Sequence, residues 1–168
     1  MGEYYDEKID YLMKQDRGLK KPFQSVFPAV TYNLGPRTVC KPHIDFANLA
    51  FGYCSITALG KFDHEEGGHM VLEEYKLVIE FPRGSTIQIP SAIVTHYNLP
   101  IGEDETRFSF VQYAAGGLFR WVDNGFQTAE KVEKKLVEEG KRVREAENQK
   151  RWKLGLDLLP KVFEWMPM

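Results

Sequence analysis

The sequence predicts a mainly β protein with flanking helices, in which the strands form an antiparallel barrel or jelly roll of the cupin-like type. Between Phe27 and Trp121, short runs rich in Val, Ile, Thr, Phe and Tyr are separated by Gly, Pro, Asn and Asp, which is typical of strands and turns. No long helical pattern interrupts these runs, so the strands are expected to pair in antiparallel sheets. The 168 residues suffice for one domain with a hydrophobic core, but hardly for two.

The elements follow in order along the chain. Residues 3–17 predict a short amphipathic helix, because apolar residues recur there at helical spacing until Gly18 and Pro22 end the pattern. Candidate strands follow at residues 28–33, 37–45, 52–60, 68–72, 76–81, 85–89, 91–96 and 106–114. A charged helix with a narrow apolar stripe is predicted over 128–154. The chain is thus divided into an amino-terminal helical segment, a β core and a carboxy-terminal helical segment, at 1–26, 27–126 and 127–168.

The charge distribution argues against a large nucleic-acid footprint. Residues 1–127 carry a formal charge of −4, whereas residues 128–154 carry +3. A protein that holds duplex DNA through many phosphate contacts usually has a stronger positive charge, so tight autonomous DNA binding is not expected. A solvated helix docked on the barrel is favoured for 128–154 over a helix that contacts DNA.

The chain is expected to be a soluble intracellular protein. It has no apolar run long enough to cross a bilayer, and its amino terminus lacks a charged and then apolar leader. Its two cysteines, Cys40 and Cys54, could form one disulfide at most, and neither has a second cysteine at metal-clip spacing. Reduced thiols are therefore expected.

His43 and Asp45 form the first half of a candidate metal site. In a strand, residues two apart point to the same face, so both side chains would face the barrel interior. His96 and Arg107 flank a turn-rich stretch whose midpoint is Ile101–Gly102. If the strands on either side pair as a hairpin, His96 and Arg107 become cross-strand neighbours with Cβ atoms about 5 Å apart. The sequence thus predicts a metal site with a cation beside it.

The donor types indicate which metal and which cosubstrate would bind. Two imidazoles and one carboxylate favour non-haem Fe(II) and leave positions open for an oxo acid and dioxygen. Strand alternation places Arg107, Ser109 and Tyr113 on one face, where Arg107 could bind a carboxylate through two hydrogen bonds and Ser109 could donate another. This pattern indicates Fe(II) with 2-oxoglutarate. His64 is expected in an exposed turn, and His69 either faces the pocket or caps a strand.

These residues resemble those of a known superfamily. The order His-x-Asp, a later His and then Arg-x-Ser is similar to that of Fe(II)/2-oxoglutarate-dependent dioxygenases, whose fold is a double-stranded β-helix. Within it, residues 43–48 (HIDFAN) resemble the His-x-Asp-x-x-Asn signature of the TET/JBP group, which oxidises methyl groups on nucleic-acid bases. Residues 69–77 resemble that group as well. The chain as a whole most resembles the transposon-associated members of the group in basidiomycete fungi. The likeness covers about residues 27–126.

The resemblance implies a role for each matching residue. His43, Asp45 and His96 match the iron ligands, while Arg107 and Ser109 match the 2-oxoglutarate anchor. The implied reaction consumes 2-oxoglutarate and O2, oxidises a methylated base of the 5-methylcytosine or N6-methyladenine type in DNA or RNA, and releases succinate and CO2. We therefore expect a monomeric nuclear enzyme with nucleic acid as its partner.

Two matching residues concern the base itself. Asn48 matches the position that hydrogen-bonds a flipped base, and Tyr113 matches an aromatic residue that stacks on it. Asn48 could instead cap a turn, and Tyr113 could belong to the core. Animal members carry a base-contacting His where this chain has Ala115, so N6-methyladenine stays open beside 5-methylcytosine. Two other functions also stay open: a 2-oxoglutarate-dependent hydroxylase of a protein or small molecule, and a non-catalytic metal-binding barrel.

Overall fold

The structure is a computed structural model that describes residues 1–159. Two antiparallel sheets flanked by helices make up this part of the chain. The helices are α1 (Gly2–Gln15), α2 (Gly116–Asp123), α3 (Ala129–Glu133) and α4 (Glu138–Asp157). The strands are β1 (Ala29–Asn33), β2 (Cys54–Lys61), β3 (Met70–Leu72), β4 (Leu77–Ile79), β5 (Thr86–Ile89), β6 (His96–Asn98) and β7 (Thr106–Tyr113). The sheets have the orders β1-β7-β2-β5 and β4-β3-β6. The predicted class, mainly β with flanking helices, is confirmed.

The main hydrophobic core is built from residues of both sheets. Alternate residues of β2 are buried in it, together with side chains from β3, β5 and the loops between strands: Cys54, Ile56, Ala58, Met70, Leu72, Phe81, Ile89 and Val94. β2 lies in the middle of its sheet and pairs with β7 from Ser55–Gln112 to Lys61–Thr106. Because side chains alternate across a strand, this register places Arg107, Ser109 and Val111 on the same face as the buried residues of β2.

A second core lies between the sheet and the helices α1 and α2. It contains Tyr5 and Ile9 of α1, Phe119 of α2, and also Phe27, Leu49 and Ala114. The Tyr5 ring lies 5.5 Å from the Phe119 ring, and its hydroxyl accepts a hydrogen bond of 3.0 Å from the Tyr53 amide. α1 is thereby joined to the chain just before β2. Three of the four residues that predicted an amphipathic helix are buried, namely Tyr5, Ile9 and Leu12, while Met13 is partly buried.

Replacing Tyr5 by phenylalanine is expected to lower the free energy of unfolding by about 1–2 kcal/mol, because the Tyr53 amide would lose its acceptor. Burial raises the pKa of Tyr5 to about 12. Its protonated form is therefore favoured by folding, and that contribution, present below pH 10, is lost as the pH rises through 12. Urea unfolding at pH 8 and pH 11 measures both effects. The wild type should lose more stability between these pH values than Tyr5→Phe; equal losses would contradict this account.

Two of the predicted strands are wrong. Residues 37–45 form no strand and pair only through isolated bridges, Arg37 with Arg107 and His43 with His96. Pro36 precedes this segment and Pro42 lies within it, and proline cannot donate to a strand ladder. Residues 91–94 form a turn closed by bonds from the amides of Ile93 and Val94 to the carbonyl of Pro90, so β6 begins only at His96.

The carboxy-terminal part also differs from the prediction. The predicted helix over 128–154 is divided into α3 and α4, and Val143 of its expected apolar stripe is 55% exposed. Contact with the fold is instead made at Gly155, where an added Cβ would lie 2.3 Å from Phe51. α2, next to the end of β7, was not predicted. Residues 160–168 of the predicted carboxy-terminal segment lie outside the described residues. No helix within 1–159 is long and apolar enough to cross a membrane.

Candidate metal centre

A pocket of about 570 Å³ opens between the two sheets. Its walls come from the inner faces of β1, β6 and β7 and from the irregular segment 40–48. All seven residues singled out in the sequence line it: His43, Asp45, Asn48, His96, Arg107, Ser109 and Tyr113. The predicted common face of Arg107, Ser109 and Tyr113 is confirmed, because these alternate residues of β7 all line the pocket.

Three potential metal ligands meet in this pocket. The Asp45 carboxylate lies between two imidazoles, with Oδ1 3.6 Å from His43 Nε2 and Oδ2 3.9 Å from His96 Nε2. One ligand atom from each residue lies within 4.8 Å of the other two. The backbones of His43 and His96 exchange hydrogen bonds of 3.0 and 3.3 Å. This local bridge brings the two imidazoles together without the strand that the sequence predicted.

Both imidazoles present the same nitrogen to Asp45. His43 Nδ1 lies 2.7 Å from the carbonyl oxygen of Lys41, and His96 Nδ1 lies 2.9 Å from that of Val94. A carbonyl oxygen only accepts, so in the neutral form of each ring Nδ1 carries the proton and Nε2 has the lone pair. Such backbone contacts orient metal-binding histidines and select their tautomer. The three residues therefore form a preorganised set of two nitrogen donors and one oxygen donor.

The environment of His96 favours its metal-binding form. The side chain is buried, and burial lowers its pKa, with the neighbouring His43 acting in the same direction. Neutral imidazole is the form that binds a metal, so His96 needs no deprotonation near neutral pH. His43 is the exposed member of the set, which leaves the centre open to solvent on that side. Among the described residues, neither His64 nor His69 belongs to this cluster of potential metal ligands.

Arg107 is a buried cation without a carboxylate partner among the described residues. Its side chain is 1% exposed, its Nε has no hydrogen-bond partner, and its Nη1 makes a long contact of 3.4 Å with the Thr38 carbonyl. Burial lowers the pKa of the guanidinium. An unpaired buried charge is costly, and a planar guanidinium binds carboxylates through parallel hydrogen bonds. The geometry of Arg107 therefore suits a carboxylate ligand in the pocket.

Ser109 lies one step along β7 from Arg107 on the same face. Its hydroxyl oxygen accepts a 2.8 Å hydrogen bond from Asn33 Nδ2, which leaves the hydroxyl proton available to a ligand. Asn33 is paired with Ser109 across β1 and β7, a contact that the sequence analysis did not identify. Gly60, opposite Arg107, has φ +117° and would place a Cβ 2.3 Å from the Thr106 carbonyl. Only glycine leaves β7 undisturbed there.

The predicted hairpin between His96 and Arg107 is wrong. β6 pairs with β3, where His96 faces Leu72, while β7 pairs with β2, where Arg107 faces Gly60. The two residues belong to different sheets, and both line the pocket because it lies between the sheets. The stretch between β6 and β7 is long enough to cross from one sheet to the other, and Pro100 within it cannot continue a ladder.

Asn48 and Tyr113 each make contacts that fit both of the roles considered for them, one in binding a base and one in the fold. The backbone amide of Asn48 donates a 2.8 Å hydrogen bond to the carbonyl of Asp45, so Asn48 closes a turn after Asp45. Its side-chain Nδ2 also donates to Asp45 Oδ2 and to Ser91 Oγ, each at 3.2 Å. The side-chain oxygen remains to accept from a ligand. Tyr113 packs partly against the core and also lines the pocket, so its stacking role stays a prediction.

Asn98 holds residues 38–40, which precede His43, in place. It was not identified from the sequence. Two residues after His96 on β6, its buried side chain accepts from the Cys40 amide at 2.9 Å and donates to the Thr38 carbonyl at 3.1 Å. These bonds substitute for the strand ladder that residues 38–40 lack. They fix the segment that covers Arg107 and leads into His43.

Replacing Asn98 by leucine is expected to lower the free energy of unfolding by about 1–3 kcal/mol, since the Cys40 amide would lose its acceptor and the carbonyls of Thr38 and Leu99 would lose the Nδ2 donor. It should also weaken metal binding about 10- to 100-fold, because His43 would be held less firmly. Titration with Mn(II) under calorimetry measures the second effect. Asn148→Leu, on the exposed surface of α4, is the control. Unchanged metal affinity in a folded Asn98→Leu protein would contradict a positioning role.

Comparison with known proteins identifies the fold. No family model and no curated protein matches the chain. Among solved structures, NgTET1 in complex with 5mC DNA is similar, with a TM-score of 0.52 and 18% identity, over 64% of this chain and 41% of that one. Two structures of a viral collagen prolyl hydroxylase from Paramecium Bursaria Chlorella virus-1 give TM-scores of 0.37 and 0.35 at 11% and 10% identity, over 66% of this chain and 70% and 66% of theirs. The match to NgTET1 confirms the predicted double-stranded β-helix. This chain spans about two fifths of the length of NgTET1.

Proposed function

We propose that this chain is an Fe(II)- and 2-oxoglutarate-dependent dioxygenase that oxidises a methylated nucleobase and releases succinate and CO2. One observation carries the proposal: a compact set of His43, Asp45 and His96 shares its pocket with the buried, incompletely bonded Arg107. A buried cation near a purely structural metal site would weaken metal binding, because the cation repels the metal ion. A cosubstrate that binds the metal at one end and carries a carboxylate at the other makes use of both features.

One group of residues would bind the metal, and another would bind the cosubstrate. His43 and His96 would bind iron through Nε2, and Asp45 through its carboxylate, which leaves coordination positions for ligands. Bound iron would supply the activation of dioxygen. Arg107 and Ser109 would hold the distal carboxylate of 2-oxoglutarate by charge-assisted hydrogen bonds. The protein thereby orients the cosubstrate.

A methylated base is the substrate that the pocket supports best. The pocket has a volume of about 570 Å³, which lies in the range of small-molecule sites. The Asn48 side-chain oxygen can accept from the exocyclic N–H of 5-methylcytosine or N6-methyladenine, and Tyr113 offers a ring for stacking. The similar structure, NgTET1, is described in complex with 5mC DNA. A DNA substrate would imply a nuclear protein, in keeping with the sequence resemblance to the fungal transposon-associated group.

A second candidate substrate is a protein side chain or a small metabolite. The charge of residues 1–127, which contain the whole pocket, favours it: their formal charge is −4, and a polyanionic nucleic acid is attracted more weakly by such a surface. The chemistry at iron and Arg107 would be unchanged. The two candidates therefore differ only in what enters beside Asn48.

The test is incubation with Fe(II), ascorbate and 2-oxoglutarate together with DNA and RNA oligonucleotides that carry 5-methylcytosine or N6-methyladenine. Mass spectrometry of the digested nucleosides, with succinate measured in parallel, is expected to show an oxidised base formed in step with succinate. Succinate formation without an oxidised base in any oligonucleotide would reject the nucleobase and favour the second candidate. No decarboxylation and no thermal shift with 2-oxoglutarate would reject the enzyme and leave a metal-binding barrel.

A further inference from the structure

Phe46 is exposed to solvent and is also part of the pocket wall. It is 87% exposed, more than any other large apolar side chain of the described residues, and it also lines the pocket. It follows the metal ligand Asp45 directly in the chain. Ile44, on the other side of Asp45, also lines the pocket and is 43% exposed. The mouth of the pocket therefore has an apolar rim next to the metal centre.

The turn that carries Phe46 is held on both sides. Before the ring, the amide of Asp45 donates 2.8 Å to the carbonyl of Ser91. After it, the carbonyl of Ala47 accepts 2.9 Å from the amide of Gly116 at the start of α2. An added Cβ at Gly116 would come within 3.2 Å of the Asn48 carbonyl, so the two segments are closely packed. The backbone on either side of Phe46 is thus fixed, and its ring is presented from a defined position.

An exposed phenyl ring on a fixed backbone suits a contact outside the pocket. Apolar surface gains free energy when it leaves water, and no described residue covers this ring. An aromatic ring also loses little conformational entropy on binding, because it has only two rotatable bonds. Each nucleobase presents a flat face on which such a ring can stack, whatever its sequence.

We propose that Phe46 determines substrate preference by stacking on the base that neighbours the one held in the pocket. This inference rests on the proposed function, since it requires a nucleic-acid strand with one base inside the pocket. A neighbouring base within an intact duplex is already stacked between two others. Phe46 therefore favours substrates whose neighbouring base is unstacked, such as single strands or a locally opened duplex.

The experiment compares an oligonucleotide with a free nucleoside that carry the same methylated base. The free nucleoside has no neighbouring ring, so Phe46→Ala should raise the KM for a single-stranded oligonucleotide relative to that for the nucleoside at least about tenfold. Phe46→Trp, which keeps a stacking ring, should restore the wild-type ratio. The control is Tyr75→Ala, which removes a 57% exposed ring that does not line the pocket and should leave the ratio unchanged. Fluorescence anisotropy of the labelled oligonucleotide measures binding independently of turnover.

The outcomes separate this inference from the proposed function. If the wild type oxidises and binds the oligonucleotide and Phe46→Ala leaves the KM ratio and the anisotropy unchanged, only the role of Phe46 is overturned. A loss of equal size for nucleoside and oligonucleotide also overturns it, because Phe46 would then shape the pocket itself. If the wild type neither binds nor oxidises any methylated oligonucleotide, the proposed function has failed and the stacking role fails with it.

Discussion

Replacing Asp45 by alanine is expected to reduce Fe(II)-dependent release of succinate from 2-oxoglutarate to below about one per cent of the wild-type rate. Asp45 is the anionic member of the donor set, and its two oxygens lie between the two imidazoles at 3.6 and 3.9 Å. Without it, two neutral nitrogens remain, which bind a hard divalent ion weakly. Succinate is measured by mass spectrometry, and bound iron by elemental analysis after anaerobic loading.

The variant should remain folded, so a loss of activity can be assigned to the metal. The backbone amide of Asp45 still donates to Ser91, and Asn48 Nδ2 keeps its bond to the Ser91 hydroxyl when the carboxylate is removed. Asp104→Ala, which removes an exposed carboxylate from the loop before β7, is the matched control and should retain wild-type activity. Iron-dependent succinate release at the wild-type rate in Asp45→Ala would exclude Asp45 as a ligand.

Replacing Arg107 by methionine is expected to abolish 2-oxoglutarate binding without lowering the stability of the ligand-free protein. For the wild type, a concentration about 100-fold above Kd should raise the melting temperature by about 5–10 °C, and in the variant this shift should disappear. The ligand-free melting temperature should stay the same or rise. A guanidinium that is 1% exposed, with an unpartnered Nε, costs free energy that a methionine of similar length does not.

This combination of effects distinguishes a binding residue from a structural one. If Arg107 served mainly to hold the segment over it, through the 3.4 Å contact with Thr38, its removal would lower the ligand-free melting temperature. Arg83→Met, which removes an exposed arginine from the turn before β5, controls for the change in net charge. A full thermal shift with 2-oxoglutarate in Arg107→Met would show that the cosubstrate binds elsewhere.

Local patterns in the sequence sufficed for the mainly β class and for the common face of three pocket residues. Alternation within a strand depends only on neighbouring residues, so the common face of Arg107, Ser109 and Tyr113 followed from their spacing in β7. The same holds for α1, whose buried residues recur at helical spacing. The grouping of His43 and Asp45 with His96 was inferred from a strand and a hairpin that the structure does not contain, and from donor chemistry; the structure brings the three side chains together by other contacts.

Local patterns in the sequence could not predict which strands pair with each other. β6 and β7 are consecutive, yet they belong to different sheets, because pairing depends on where the rest of the chain buries its apolar faces. Residues 37–45 resemble a strand in composition, but Asn98 supplies hydrogen bonds that a ladder would otherwise provide. A buried asparagine that serves a distant segment leaves no periodic signal.

By itself, therefore, the sequence predicted the mainly β class and seven of the residues that line the pocket, because these predictions depend on side-chain type and short-range spacing. The tertiary structure decided how they are held: which sheet carries His96 and which carries Arg107, how Asn33 and Asn98 support their neighbours, and why the Phe46 ring is left exposed at the pocket mouth. Such contacts join residues that are far apart in the chain, and they exist only when the whole fold brings those residues together.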